Sequence, residues 1–290
     1  MSAVTGIPMV EQVSELRAAL DAARRDGGSV GLVPTMGYLH EGHQSLVTRS
    51  ASENDLTVVS IFVNPLQFAE GEDYGTYPRD LDRDREMCTA AGAGLIFAPP
   101  TEEMYPQTPV TAVTVKGLNA VLEGRFRPTH FDGVTTVVAK LFALLGPGRA
   151  YFGEKDYQQL AIIRRMTADL SLPVEVVGCP TFREPDGLAM SSRNVYLSPD
   201  ERPAATVLWR SLQAGREAVV QGSRDPDEVE AVMAAVLAAE PKASPDYAAV
   251  VDAITLDRPD VLDGELRLLV AAQVGRARLI DNVGVDCDRL

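Results

Sequence analysis

Cysteine is scarce in this chain: three in 290 residues, Cys88, Cys179 and Cys287, far apart and without paired spacing. Neither a disulfide framework nor a zinc ribbon is indicated, and a reducing cytoplasm fits that usage best. Cations are short as well, with Lys and Arg totalling 27 against 41 Asp and Glu, a formal net charge of -14. Such a chain repels polyanions at long range, which argues against a general nucleic-acid binder. A small anionic substrate stays open, since a few cations focused in a cleft outweigh a negative surface locally. No apolar run approaches the ~20 residues needed to span a bilayer. The stretch Met1 to Leu20 carries acidic residues and lacks the basic segment, apolar stretch and cleavage site of a leader. Export and membrane insertion are therefore disfavoured. What is present is ordinary for folded protein: 46% hydrophobic and 23% charged residues, enough for a large core in one or two domains.

Hydrophobic period supplies the order of elements. Glu11 to Arg25 repeats near 3.6, with Val13, Leu16, Leu20 and Ala23 on one side and Gly27-Gly28 as its stop. Val30 to Pro34 and the longer apolar run Leu56 to Val63, stopped by Asn64-Pro65, read as buried parallel strands with a short helix between them. Leu95 to Ala98, Tyr151-Phe152 and Val174 to Val177 read as further strands, and Leu81 to Ala91, Thr135 to Leu145 and Asp156 to Leu170 as helices. This alternation predicts an α/β fold, a doubly wound parallel sheet of Rossmann-like type that binds ligands outside the carboxyl ends of its strands. Beyond about Ser198 the texture becomes a helical pair, the second started by Asp225, Pro226 and Glu228, then the loop-like Pro241 to Pro245, then strands at Leu266 to Val274 and Arg278 to Val285. A smaller α+β domain is expected there, the division running as 1–183 and 184–290.

The polar segments fall just after the strands. Two of the three histidines, His40 and His43, lie in Pro34-Thr35-Met36-Gly37-Tyr38-Leu39-His40-Glu41-Gly42-His43. If His43 opens a helix, both imidazoles and the helix N-terminal amides converge on one anion, with Gly37 and Gly42 admitting close backbone approach. A zinc helix needs histidines four apart, and these are three apart; a capped turn with solvated histidines is the plainer alternative. Asn64 and Gln67, in Ile61 to Phe68, place two amides at a strand end, where they orient hydroxyl or carboxylate oxygens or merely cap the turn. Gly153-Glu154-Lys155-Asp156 presents Lys155 as a point charge, or as part of a solvated cap with Asp156. Ser191-Ser192-Arg193-Asn194 after Met190 offers hydroxyls and a guanidinium for phosphoryl oxygens, or an ordinary linker turn. In Arg125 to Gly133, Arg127 is a candidate for a carboxylate partner, and His130 equally one for fixing the loop. Tyr77 to Asp80 with Asp82 and Asp84 form a last patch, near magnesium or simply a charged helix start. No Walker-type phosphate loop, nucleophile elbow or dinucleotide fingerprint occurs.

PTMGYLHEGH, IFVNPLQF, RPTHFDG, FGEKDYQQL and MSSRN, in this order over roughly residues 30 to 197, resemble the pantothenate synthetase family. That family is one of nucleotidyltransferases sharing a His-x-Gly-His signature with class I aminoacyl-tRNA synthetases. The resemblance implies an ATP-dependent ligase that activates pantoate as an adenylate and couples it to β-alanine. It implies a first domain holding ATP and pantoate, and a C-terminal lid. Pro34 to His43 would contact ATP, with His43 catalytic and His40 its partner on the phosphates. Gly153 to Asp156 would line the nucleotide, with Lys155 on phosphate, and Met190, Ser191, Ser192 and Arg193 would form a mobile phosphate loop. Gln67, with Asn64 beside it, and Gln159 would hold pantoate, with Tyr77 and Arg127 as further substrate contacts. Phe182 stands where the family commonly has a smaller aliphatic residue whose backbone touches adenine. Magnesium would ride mainly on the ATP phosphates, with Asp84 the candidate protein ligand, and a cytoplasmic homodimer is expected. A same-fold enzyme for another hydroxy acid, an RNA-linked synthetase relative and a noncatalytic small-molecule sensor are the competing readings. Net charge and the missing anticodon-binding bulk count against the second.

Overall fold

The computed structural model describes residues 6–25, 27–69, 71–72 and 74–289, and residues 1–5 of the stretch read for a leader lie outside them. The chain forms two compact units, Met1–Glu154 with Ile162–Pro180, and Lys155–Ala161 with Thr181–Leu290.

The first unit runs β1 (Met9–Val10), α1 (Val13–Arg25), β2 (Val30–Thr35), α2 (Glu41–Glu53), β3 (Leu56–Ile61), α3 (Leu81–Ala90), β4 (Leu95–Phe97), the single turns α4 (Thr101–Met104) and α5 (Glu123–Phe126), α6 (His130–Leu145) and β5 (Gly148–Gly153). Helix α7 (Tyr157–Asp169) starts in the second unit and continues in the first, which closes with β6 (Val174–Cys179). The strands pair in the order β1-β4-β3-β2-β5-β6, all parallel. This is the doubly wound sheet that the alternation predicts. Strands of such a sheet are covered on both faces, hence their continuous Val and Ile runs; Val33, Val59 and Ile96 are fully buried, and α2 packs Leu46 and Val47 into the same cluster. Each such side chain contributes about 1.5–3 kcal/mol of transfer free energy.

Several boundaries differ from expectation. Near the site, the first interstrand helix is a full 13 residues rather than short, β3 ends at Ile61, and α6 begins at His130 rather than Thr135. Hydrophobic period leaves such ends open; the His40 side chain caps α2, whereas α6 starts without a side-chain cap.

In the second unit, α8 (Glu201–Ala204), α9 (Val207–Val220) and α10 (Pro226–Ala238) precede an antiparallel sheet of β7 (Ala243–Asp252), β8 (Glu265–Val274) and β9 (Ala277–Asp286) in the order β7-β8-β9. Asp225 caps α10, accepting the Asp227 amide, with Pro226 in the first turn. The loop expected at Pro241 to Pro245 is corrected: strand β7 begins at Ala243. Pro245 is tolerated there because β7 is an edge strand and its register shifts between Pro245 and Tyr247. Leu208, Leu212, Met233, Leu237, Leu268 and Val270 fill this unit's core. Among the described residues no helix is long and apolar enough to cross a membrane.

Candidate active site

The crevice of the first sheet is set by strand register. Strand β2 pairs with β3 over its whole length, Val30 to Thr35, but with β5 only at Gly31 and Leu32. Since β3 and β5 lie on opposite sides of β2, strand order reverses there, and the two strands part toward their carboxyl ends. That is the position at which doubly wound sheets bind ligands. The chain leaves β2 there into Met36 to His43, and leaves β5 through Gly153 into Glu154.

Met36 to Leu39 form a tight turn. Gly37 and Tyr38 both have left-handed backbone, φ 84° and 50°. A Cβ on Gly37 would meet Asp84 Oδ2 at 2.9 Å and Ile61 Cγ2 at 3.0 Å, so glycine is required twice over. The turn aims two successive amides at one carboxylate: Tyr38 N–H donates to Asp84 Oδ2 (2.8 Å) and Leu39 N–H to Asp84 Oδ1 (2.7 Å). Asp84 comes from α3 and is buried. Burial pushes its carboxyl above the ordinary carboxylate range, and the two amides pull it back. Asp84, the candidate magnesium ligand, anchors the turn, each of its oxygens accepting one amide. Among the described residues, no cluster of three or more His, Cys, Asp or Glu is placed to hold a metal. The amides of residues 38 and 39 thus both serve Asp84.

Helix α2 starts differently from the expectation that His43 opens it. His40 is its N-cap and His43 stands at the third helical position, and the pair forms a capping box normally built from Ser or Thr with Glu. Gly42 N–H donates to His40 Nδ1 (3.2 Å), and His40 N–H donates to His43 Nδ1 (3.3 Å). The rings lie side by side, centroids 4.1 Å apart. With both Nδ1 atoms accepting, each neutral ring carries its proton on Nε2. The cap thus fixes two histidine N–H donors, on rings tilted by 39°, at a helix N-terminus, where the dipole favours negative charge.

Asn64 and Gln67 share one turn after β3, but their side chains are engaged differently. Asn64 is 1% exposed. Its Nδ2 donates to Gln67 Oε1 (3.1 Å) and the Gly133 carbonyl (3.0 Å), while its Oδ1 accepts from Leu66 N (3.3 Å) and the Tyr105 hydroxyl (2.9 Å). Asn64 is therefore corrected from substrate contact to support for Gln67, since both donors and both acceptor sites are in use. Burial raises the Tyr105 pKa to about 12, so its hydroxyl stays a donor. Gln67 Nε2 faces the Met36 sulfur at 3.1 Å, a weak acceptor that a better one would replace. Arg127 is also corrected. Its guanidinium pairs with Glu72, Nε to Oε1 at 2.9 Å, holding the Glu72 carboxyl below its ordinary range. Arg127 Nη2 and His130 Nδ1 both reach the Gln67 carbonyl, at 3.3 and 3.0 Å. Arg127 meets a carboxylate as expected, but the protein's own, and His130 fixes the loop. Tyr77 is buried edge-on against Phe68. Sequence reasoning missed Glu72, Tyr105 and Gly133. Only Gly133, a glycine inside a helix, carried a local signal.

The second unit holds the remaining candidates. Lys155 and Asp156 end a 3-10 turn before α7, with Lys155 Nζ 3.4 Å from Asp156 Oδ1, and Gln159 is half-buried in the first turn of that helix. Ser191 caps the 3-10 turn Ser192–Tyr196 by accepting the Arg193 amide (3.3 Å), and Ser192 and Arg193 are half-buried on that turn. The Phe182 carbonyl accepts the Met190 amide (3.0 Å), and the Phe182 side chain is 44% exposed.

Fold and donors define a doubly wound α/β protein with fixed hydrogen-bond donors just past the carboxyl ends of its strands. Comparison with known proteins narrows the class. The family model for pantoate-beta-alanine ligase matches residues 8–284. Pantothenate synthetase of Allorhizobium ampelinum is 52% identical over 94% of this chain and 95% of its own length, and that of a Roseiflexus species 53% identical over 94% and 98%. The crystal structure of pantothenate synthetase from Thermus thermophilus superposes with a TM-score of 0.91 at 54% identity, covering 96% of this chain and 99% of that one. Pantoate-beta-alanine ligase from Francisella tularensis, complexed with beta-gamma ATP and beta-alanine, gives 0.79 at 31% identity, covering 96% and 97%. The chain belongs to the pantoate-beta-alanine ligase family, whose reaction is the ATP-dependent formation of an amide bond between pantoate and β-alanine.

Proposed function

We propose that this chain makes pantothenate in two steps through a pantoyl adenylate. In the first step a carboxylate oxygen of pantoate attacks the α-phosphorus of ATP. The new O–P bond forms as the bond to the bridging oxygen breaks, and pyrophosphate leaves. In the second, the neutral amine of β-alanine attacks the acyl carbon, the C–N bond forms, the acyl C–O bond breaks with release of AMP, and the amine proton passes to solvent.

The observation that carries this reading is the histidine capping box at the carboxyl end of β2, two Nε2–H donors with ring centroids 4.1 Å apart. Charge accumulates on phosphoryl oxygens during adenylation, and donors fixed beforehand stabilise it without reorganising. Neutral imidazoles suit the task, because protonating either Nδ1 would cost a helix-capping hydrogen bond. We assign His43 and His40 to these oxygens, with Lys155, Ser192 and Arg193 as further phosphate contacts. Pro34 to His43, Gly153 to Asp156, Phe182 and Met190 to Arg193 are assigned to ATP. Gln67 and Gln159 are assigned to pantoate, with Tyr77 as part of the wall. The C-terminal unit is the proposed lid, since an adenylate must be kept from water. Magnesium is taken to arrive with the triphosphate, and no step depends on a protein ligand for it. A cytoplasmic homodimer is retained from the family resemblance, and sedimentation velocity tests its stoichiometry.

The test is to incubate the protein with magnesium, ATP, pantoate and β-alanine, omit each in turn, and identify products by mass. Pantothenate and AMP should appear only in the complete mixture. Pantoate alone should support exchange of pyrophosphate into ATP; no such exchange, with product still forming, would exclude the adenylate.

A further inference from the structure

Two segments of the second unit, Lys155 and the Ser191 to Arg193 turn, are separated by more than thirty positions in the chain yet lead back to adjacent residues of one strand. Asp281 and Asn282 lie on β9, whose side chains alternate between faces, so neighbours on the strand reach different structures. Asn282 Nδ2 donates to the Lys155 carbonyl at 2.8 Å. Asp281 takes the Arg183 guanidinium through both oxygens, at 2.6 and 2.8 Å, and also accepts the Asn282 amide at 2.8 Å.

Arg183 links this strand to the segment that ends in the serine turn. Its Nη2 donates to the Asn282 carbonyl (3.1 Å) and its Nη1 to the Gly187 carbonyl (3.0 Å). Arg183 itself bridges to Ala189, the Phe182 carbonyl takes the Met190 amide, and the Asn194 side chain donates to the Ala189 carbonyl at 3.1 Å. The guanidinium also lies 3.8 Å from the centre of the Trp209 ring. A Cβ on Gly187 would stand 2.0 Å from that ring, so the hairpin closes on the tryptophan only with glycine there.

We propose that Asp281 and Asn282 are positioning residues of the adenylation reaction, with Asn282 setting the backbone of Lys155 and Asp281, through Arg183, setting the segment that carries Ser192 and Arg193. This rests on the phosphate role assigned above to Lys155. A buried ion pair is by itself weak evidence for stability, and in some systems it serves to fix geometry. Here the charge pair is bidentate and the amide donor beside it faces a backbone carbonyl next to a phosphate candidate. Small displacements of such a group cost rate steeply, about 100-fold for ~1 Å.

The test is a double-mutant cycle on the full chain, with Asn282→Ala and Lys155→Ala singly and together. It is read as kcat and KM for ATP in pantoate-dependent pyrophosphate exchange, with thermal midpoints in parallel. Positioning predicts that Asn282→Ala lowers kcat/KM for ATP by about 10-fold or more. In the Lys155→Ala background it should change that ratio less than about twofold, because the group it positions is gone. Equal effects in both backgrounds would mark Asn282 as a general structural residue and overturn the inference. Asn282→Asp keeps the shape but replaces the donor with an acceptor, so wild-type ATP kinetics in that variant would overturn it too. Failure of the wild-type protein to form pantothenate would remove the functional reading and this one with it. A wild-type enzyme that is active, but with additive mutations, would remove this one alone.

Discussion

Gly133 offers a sharp test of the reasoning about Gln67. It sits in the second turn of α6 with its helix face against the Leu66–Gln67 backbone. A Cβ built there would lie 2.3 Å from the Leu66 carbonyl oxygen, 2.4 Å from the Leu66 carbonyl carbon and 2.5 Å from the Gln67 amide nitrogen. All three are backbone atoms, so no side chain can swing aside. Ordinary contact begins near 3.4 Å, and the Gln67 turn must therefore retreat by about 1 Å in Gly133→Ala. Helix propensity works the other way, alanine being better than glycine by about 1 kcal/mol, while overpacking costs about 1–3 kcal/mol. The two nearly offset in stability, so the thermal midpoint should fall only a few degrees. Activity has no such compensation. The displaced Gln67 should lower kcat/KM for pantoate by about 100-fold, with KM for ATP little changed. Pantoate-dependent pyrophosphate release at saturating ATP measures the first quantity, and thermal denaturation checks the second. A variant within twofold of wild type for pantoate would refute both the crowding argument and the assignment of Gln67.

Three further outcomes follow from the same geometry. His43→Ala should lower adenylate formation by at least ~100-fold, the scale of losing one preorganised donor; near-normal pyrophosphate release would contradict its role. Asp84→Ala leaves the Tyr38 and Leu39 amides without their carboxylate and should cost about 1–3 kcal/mol of stability together with weaker ATP binding. Unchanged melting and unchanged ATP titration would show that the turn holds itself. Glu72 is depressed below its ordinary value of 4.5 by Arg127, so it stabilises the native brace above that value and the contribution disappears as pH falls through the lower, folded pKa. KM for pantoate should accordingly rise in acid for the wild type. Glu72→Gln should show the raised KM already at neutral pH, and a flat KM across pH in the wild type would argue that Arg127 does not need Glu72.

Much of the architecture was legible because it rests on local pattern. The run Leu56 to Val63 and the 3.6-residue period of α1 are properties of neighbouring residues, and both elements appear there, with β3 stopping at Ile61 and α1 starting at Val13. Strand β7 was not legible, because Pro241 and Pro245 are turn signals by local rule, and only the open edge and a register shift let Pro245 sit in a strand. The sequence offered the histidine pair as a candidate site, without showing that the histidines themselves form the cap: histidine is outside the usual N-cap set, and its Nδ1 takes that role here through the helix that follows. Asn64, Arg127 and Asp84 were candidates for ligand contact from their residue type, their place in the chain and the family resemblance. Their engagement with Gln67, Glu72 and the Tyr38–Leu39 amides depends on where other segments arrive.

The amino-acid order by itself determined the alternating strands and helices, the polar segments just after the strands, and the motif set that marks the family. These are short-range facts, fixed by side-chain period, glycine and proline chemistry, and residues a few positions apart. Tertiary structure alone decided which polar groups hold others in place. A buried donor or acceptor must find a partner, and the partners here come from distant segments: Asp84 for Leu39 across 45 positions, Gly133 for Asn64 across 69, Asn282 for Lys155 across 127. Hydrogen-bond satisfaction is a property of the packed chain, so no reading of one segment could assign it.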